Sequence, residues 1–135
     1  MKHVMVNGTF DILHRGHIEL LNFARSQGDF LLIAIDTDRR VRELKGESRP
    51  VNSQEDRKYH LENLKAVDRV VFFDSKDELI DIMKKYKPDV YVKGSDWKSN
   101  KGTAHDYSKE VIYYDRVGEY STTNTIARIQ DSTSR

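Results

Sequence analysis

The chain has 135 residues, of which 37% are hydrophobic and 33% charged, with a formal net charge of +1 and no cysteine. That length supports one hydrophobic core, so a single domain over residues 1–130 with a polar tail at 131–135 is expected. The charge balance argues against general nucleic-acid binding, and the lack of thiols excludes disulfides, thiolate nucleophiles and zinc–thiolate sites.

In chain order, Val4-Met5-Val6 reads as a buried strand stopped by Asn7-Gly8. From His17 to Gln27, Ile18, Leu21, Phe23 and Ala24 fall near helical spacing, with Gly28 expected as the C-cap. Phe30 to Ile35 is a second strand that ends at Asp36-Thr37-Asp38. Ser53 caps a helix running to about Lys65, with Tyr59, Leu61 and Leu64 expected inward. Val70 to Phe73 is a third strand. Leu79, Ile80, Ile82 and Met83 mark a helix that stops before Pro88. Val90-Tyr91-Val92 and Val111 to Tyr114 are two more strands, and Ser121 or Thr122 caps a last helix carrying Ile126 and Ile129.

Continuous apolar strands alternating with helices predict an α/β fold. The expected form is a Rossmann-like, doubly wound parallel sheet of about five strands with helices on both faces. Such sheets bind ligands at their carboxyl edge, near a topological switch point. The motif candidates mostly follow strand ends. Phe30 to Ile35, the longest apolar run, is too short to span a bilayer, and no signal-peptide pattern precedes the first motif. A cytoplasmic protein without membrane or nucleic-acid partners is expected.

Gly8 is expected to let the backbone turn sharply off the first strand and approach a ligand. His14 and His17, three apart at a helix mouth, can lie on one face and point at one site. The helix start adds free N–H groups and partial positive charge, which suits a triphosphate. Two plainer readings compete: a zinc pair, for which the scattered His3, His60 and His105 supply no partners, or histidines that merely cap the helix.

Arg39, Arg40, Arg42, Lys45 and Arg49 form a basic run balanced only by Glu43 and Glu47. Most such runs are solvated faces, and Arg39, Arg40 and Arg42 are read so. Lys45-Gly46 is expected in a loop after a strand, with Pro50 stiffening its exit. A lysine there can close over phosphates. Ser121-Thr122-Thr123 opens the last helix: capping explains one hydroxyl, and three together suggest a phosphate cradle.

Gly8-Thr9-Phe10-Asp11 followed by His14-x-Gly16-His17 resembles the signature of the cytidylyltransferase-like nucleotidyltransferases, and the likeness runs the length of the chain. Further stretches are Leu44 to Asn52, Ala66-Val67-Asp68, Val92 to Asp96 and Ser121 to Asn124. They are similar to the heptose-1-phosphate adenylyltransferase branch, the domain found in ADP-heptose synthases. Arg116, five residues before Ser121, resembles instead the glycerol-3-phosphate cytidylyltransferases.

The resemblance implies transfer of a nucleoside monophosphate from ATP or CTP to a phosphorylated sugar or polyol. It makes His14, His17, Lys45 and Arg116 catalytic. Gly8, Thr9, Phe10, Gly16, Arg57, Lys93, Gly94, Asp96, Ser121, Thr122 and Thr123 would bind nucleotide, and Asp11 and Lys45 the acceptor. Arg57 reads otherwise as a helix-surface ion pair with Glu55, Asp56 or Glu62. Asp96 would bind a ribose hydroxyl or help position Mg²⁺, and Trp97 is a pocket wall or a lid residue. Mg²⁺ would bridge the triphosphate, with no side-chain metal cluster of its own. Relatives are commonly homodimers. ATP with heptose 1-phosphate is the first expectation and CTP with glycerol 3-phosphate the alternative. A nucleotide sensor without catalysis is the reading from another class.

Overall fold

The apolar runs form five strands and the segments between them form helices, in the order β1 (His3–Gly8), α1 (Arg15–Ser26), β2 (Phe30–Asp36), α2 (Asp38–Lys45), α3 (Gln54–Glu62), β3 (Arg69–Phe73), α4 (Lys76–Tyr86), β4 (Val90–Gly94), α5 (Ala104–Tyr107) and β5 (Glu110–Tyr114). The structure, a computed structural model, describes residues 1–94, 104–115, 126 and 129. Ile126 and Ile129 are helical; the rest of the expected last helix, its cap and the tail lie outside the described residues.

All strands pair in parallel, in the order β3-β2-β1-β4-β5. Alternate residues of the central strands feed two cores. Val4, Val6, Leu31, Ile33, Ile35, Val90 and Val92 meet Leu21 and Ala24 of α1 and Leu61 of α3 on one face. Met5, Leu32, Ala34 and Tyr91 meet Leu79 and Met83 of α4 and Ala104 of α5 on the other. Burying each larger apolar side chain contributes roughly 1.5–3 kcal/mol, which makes this two-faced packing the main stabilising term. The doubly wound sheet anticipated from the sequence is the observed fold.

The chain progresses from β1 outward to β3 on one side and from β4 to β5 on the other. The direction reverses between β1 and β4, so a crevice opens at the carboxyl ends of those two strands.

Three local expectations are corrected. Lys45 is not in a loop after the strand but ends helix α2, which Thr37 caps by accepting the Arg40 N–H and in which Val41 is the one buried residue. The C-cap of α1 is Gln27, not Gly28. Gly28 is needed for space instead, because a Cβ there would lie 2.6 Å from Val4 Cγ2 and 2.7 Å from the Lys2 carbonyl oxygen. Tyr59 is 68% exposed. The inward face of α3 carries Arg57 and Leu61, one turn apart, and Tyr59 therefore points away.

Candidate functional site

The carboxyl edge of β1 runs into a turn whose strain falls on Phe10, at φ 51°. Gly8 was expected to make that turn, but it is still paired in β1, opposite Ile35. Its missing side chain makes room for the Phe10 ring: a Cβ would lie 2.9 Å from Phe10 Cε2. Phe10 is in turn buried against the α1-side core, so the turn is fixed from inside.

This turn delivers His14 to the N-cap of α1. His14 Nδ1 accepts the His17 N–H and His17 Nδ1 accepts the His14 N–H, each at 3.3 Å. The two rings stack with centroids 3.8 Å apart, and the edge of Phe10 packs on His17 at 5.2 Å. Capping and a shared face thus coexist in one arrangement. Because each Nδ1 accepts, the neutral rings carry their proton on Nε2 and are donors there. Gly16 sits half-buried between them in the first turn of the helix, which has no acidic residue to cancel the helix dipole.

The end of β2 joins the same edge. Asp36 is only 7% exposed; it accepts from Thr9 Oγ1 at 3.1 Å and from Arg40 Nε at 2.9 Å. Arg40, read as a surface residue, therefore braces the first loop, with its guanidinium also over the Phe73 ring. Arg39 is exposed and tied to Asp74 and Glu43, which agrees with a solvated role.

Asp11 is 1% exposed. Its carboxylate accepts the backbone N–H groups of Val51 at 2.7 Å and Asn52 at 2.8 Å, and Asn52 Nδ2 donates to the Asp11 carbonyl at 2.7 Å. The expected acceptor contact gives way to a tether between the first loop and the segment that follows Lys45. Arg57 is likewise not where a phosphate ligand or a surface pair would put it. It is fully buried, with Nε donating to the Asn52 carbonyl, Nη1 to those of Thr9 and Asp36, and Nη2 to the Asp38 carboxylate. Its guanidinium clamps the ends of β1 and β2 to the start of α3.

Lys45 closes α2 rather than lying in a loop, and Gly46 ends the helix at φ 103°, where only glycine is unstrained. Although the Lys45 residue is exposed overall, packing around its ammonium, and next the charge of Arg49, hold its pKa below the ordinary lysine value. Asp36 and Asp11 oppose the shift. A lysine coupled to these groups belongs to the same edge as the histidine-bearing loop.

Across the crevice, β4 ends in Lys93 and Gly94. Lys93 packs over the Tyr91 ring, and burial lowers its pKa. Among the described residues, nothing lies within 4 Å of where a Gly94 Cβ would stand. Asp96, Trp97, Arg116, Ser121, Thr122 and Thr123 lie outside the described residues, as does most of the Ser99–Tyr107 segment, whose end forms α5.

Among the described residues no cluster of three or more metal-ligating side chains occurs. Asp11 and Asp36 are committed to backbone amides, Thr9 and Arg40, and do not form a ligand set for Mg²⁺. A recess of about 590 Å³ at the amino edge of the sheet, lined by Met1, Lys2, Asp89, Lys109 and Glu110, carries none of the motif residues. The described motif residues gather instead at the carboxyl edge. Among the described residues, no helix is long and apolar enough to cross a membrane.

Residues 5–134 match the cytidylyltransferase-like family. Bifunctional protein HldE of Campylobacter concisus is 47% identical over 131 residues, covering 97% of this chain and 28% of the relative. The HldE protein of Aliarcobacter butzleri is 45% identical over 131 residues, again 97% of this chain and 27% of the relative. The chain thus spans little more than a quarter of the length of these relatives. A solved lipopolysaccharide core biosynthesis protein from Thermoplasma volcanium superimposes with a TM-score of 0.67 at 28% identity, covering 90% of this chain and 99% of that one.

Proposed function

The chain belongs to the cytidylyltransferase-like family, and from that premise we propose that it transfers a nucleoside monophosphate from an NTP to a sugar phosphate, with ATP and heptose 1-phosphate as its substrates. The observation that carries the reading is the mutually capped, stacked pair of His14 and His17 at the mouth of α1. The resemblance of Leu44–Asn52 and Val92–Asp96 to the heptose branch supports the acceptor. The alignment with bifunctional HldE proteins along nearly the whole chain supports it too.

In this reading an acceptor phosphate oxygen attacks the α-phosphorus of ATP as the bond to the bridging oxygen breaks, and pyrophosphate leaves with the electron pair. The nucleophile is already ionised, so no strong base or covalent enzyme intermediate is required. The chain's task is alignment and charge stabilisation. His14 and His17 donate from Nε2 to phosphate oxygens, and the start of α1 adds its dipole. Lys45 meets the negative charge from the α2 side. Asp11, Arg57 and Arg40 hold these groups in register without touching substrate. Lys93 and Gly94 border the nucleotide, and Arg116 and the Ser121–Thr123 hydroxyls complete the phosphate contacts. The triphosphate rather than a side-chain cluster of the described residues would hold Mg²⁺, which would supply charge neutralisation. A homodimer working in the cytoplasm is part of the same proposal.

Pyrophosphate release measured over ATP and CTP against heptose 1-phosphate and glycerol 3-phosphate tests it. Release with ATP and heptose 1-phosphate alone is expected. Release with CTP and glycerol 3-phosphate would move the chain to the branch that Arg116 resembles, and NTP binding without release would make it a sensor.

A further inference from the structure

Arg49 stands in the segment between α2 and α3 with only 15% of its side chain exposed. Among the described residues, its Nε is the only buried side-chain nitrogen or oxygen without a hydrogen-bond partner. It forms a long ion pair with the Asp11 carboxylate at 3.7 Å, beyond hydrogen-bond reach, while the Asp11 oxygens accept the Val51 and Asn52 N–H groups at 2.7 and 2.8 Å. Arg57, by contrast, is wholly buried with all three of its nitrogens donating. The chain can satisfy a buried guanidinium, and at Arg49 it does not.

Leaving a buried donor unpaired is costly unless a ligand completes it. The Asp11 carboxylate opposes an anion here, and two other neighbours favour one. Lys45 is close enough for the two positive charges to oppose one another, and the histidine-capped start of α1 is joined to the Arg49 segment through Asp11. The planar fork of an arginine matches phosphoryl oxygens two at a time.

Building on the nucleotidyl-transfer reading, we propose that Arg49 is a substrate-binding residue that, with Lys45, takes a phosphoryl group of a substrate from the α2 side of the site. The phosphoryl group belongs either to the triphosphate or to the acceptor. Both present the same dianionic oxygens.

The test compares the wild-type chain with Arg49→Gln and Arg49→Lys. Calorimetric binding of Mg·ATP, and separately of the sugar phosphate, is measured alongside KM for each and the melting temperature. Arg49→Gln is expected to weaken one of the two by about tenfold or more, as loss of a charge-assisted bidentate contact should. Arg49→Lys should recover part of the loss, and neither variant should melt earlier. Weaker Mg·ATP binding assigns the triphosphate as the source; weaker sugar-phosphate binding assigns the acceptor. Dissociation constants and KM values within about twofold of wild type would overturn the inference. So would a loss in Arg49→Gln that is matched by a lower melting temperature and not relieved by lysine. Should the wild-type chain turn over no acceptor, the transfer reading falls, and the Mg·ATP and sugar-phosphate binding arms still decide the role of Arg49.

Discussion

Asp11 holds Asn52 from both sides: its Oδ1 accepts the Asn52 N–H at 2.8 Å, and its carbonyl accepts Asn52 Nδ2 at 2.7 Å. The residues are 41 apart in sequence, and their bonds fasten the histidine-bearing loop to the segment leading from Lys45. Asp11→Asn would turn one acceptor into a donor facing a backbone N–H. A loss of about 1–3 kcal/mol is expected by urea denaturation, as for any buried amide left unsatisfied, together with a fall in kcat/KM. An Asn variant as stable as wild type would contradict the tether.

His14 caps α1 and, in the proposed reaction, also binds phosphate. His14→Asn separates the two roles, because asparagine is among the best N-caps. Stability is expected to hold within about 1 kcal/mol, whereas turnover falls by about 10²–10³ as for loss of a transition-state donor. His17→Ala should show a similar rate loss with its fold retained. Near-normal turnover in either variant would reduce the pair to capping.

Arg57 joins three strand-end and loop carbonyls to Asp38. Arg57→Met would leave those carbonyls without their donor, the one of Asp36 in a buried position. A loss of about 3 kcal/mol is expected in chemical denaturation. A loss below about 1 kcal/mol would show that the clamp adds little beyond packing.

Lys45 must be protonated to meet phosphate. Its pKa is lowered first by burial and then by Arg49, with Arg57 adding to the shift and Asp36 and Asp11 opposing it. The active cation is present below that lowered value and is lost as pH rises through it. The alkaline limb of kcat/KM should therefore fall at a lower pH than an ordinary lysine, near 10.4, would give. Arg49→Gln removes a repelling charge and should move the limb upward; a limb that stays in place would contradict the coupling.

The sheet and most helices were legible because their signal is local: continuous apolar runs for the strands and helical apolar spacing for α1 and α4. Helix α2 was hidden because seven of its eight residues are Asp, Arg, Glu, Leu or Lys and only Val41 is buried. The histidine pair stood out through its spacing and its glycine. The partners of Asp11, Asp36 and Arg57 did not, since each bond closes a long loop and a charged residue reads as surface by default. Gly8 and Gly28 were noticed for the wrong reason. Both make room for a neighbour, Phe10 in one case and Lys2 with Val4 in the other. Only the packed structure reveals such a need.

The central claim is that one triphosphate sits between the histidine pair and Lys45 and is attacked at its α-phosphorus. Phosphorus NMR of the chain with Mg·ATP and heptose 1-phosphate follows both products at once. Pyrophosphate and a new pyrophosphodiester doublet pair are expected, formed in equal amounts and only when acceptor is present. Formation of ADP and inorganic phosphate, or unchanged ATP at every acceptor concentration, would contradict the claim.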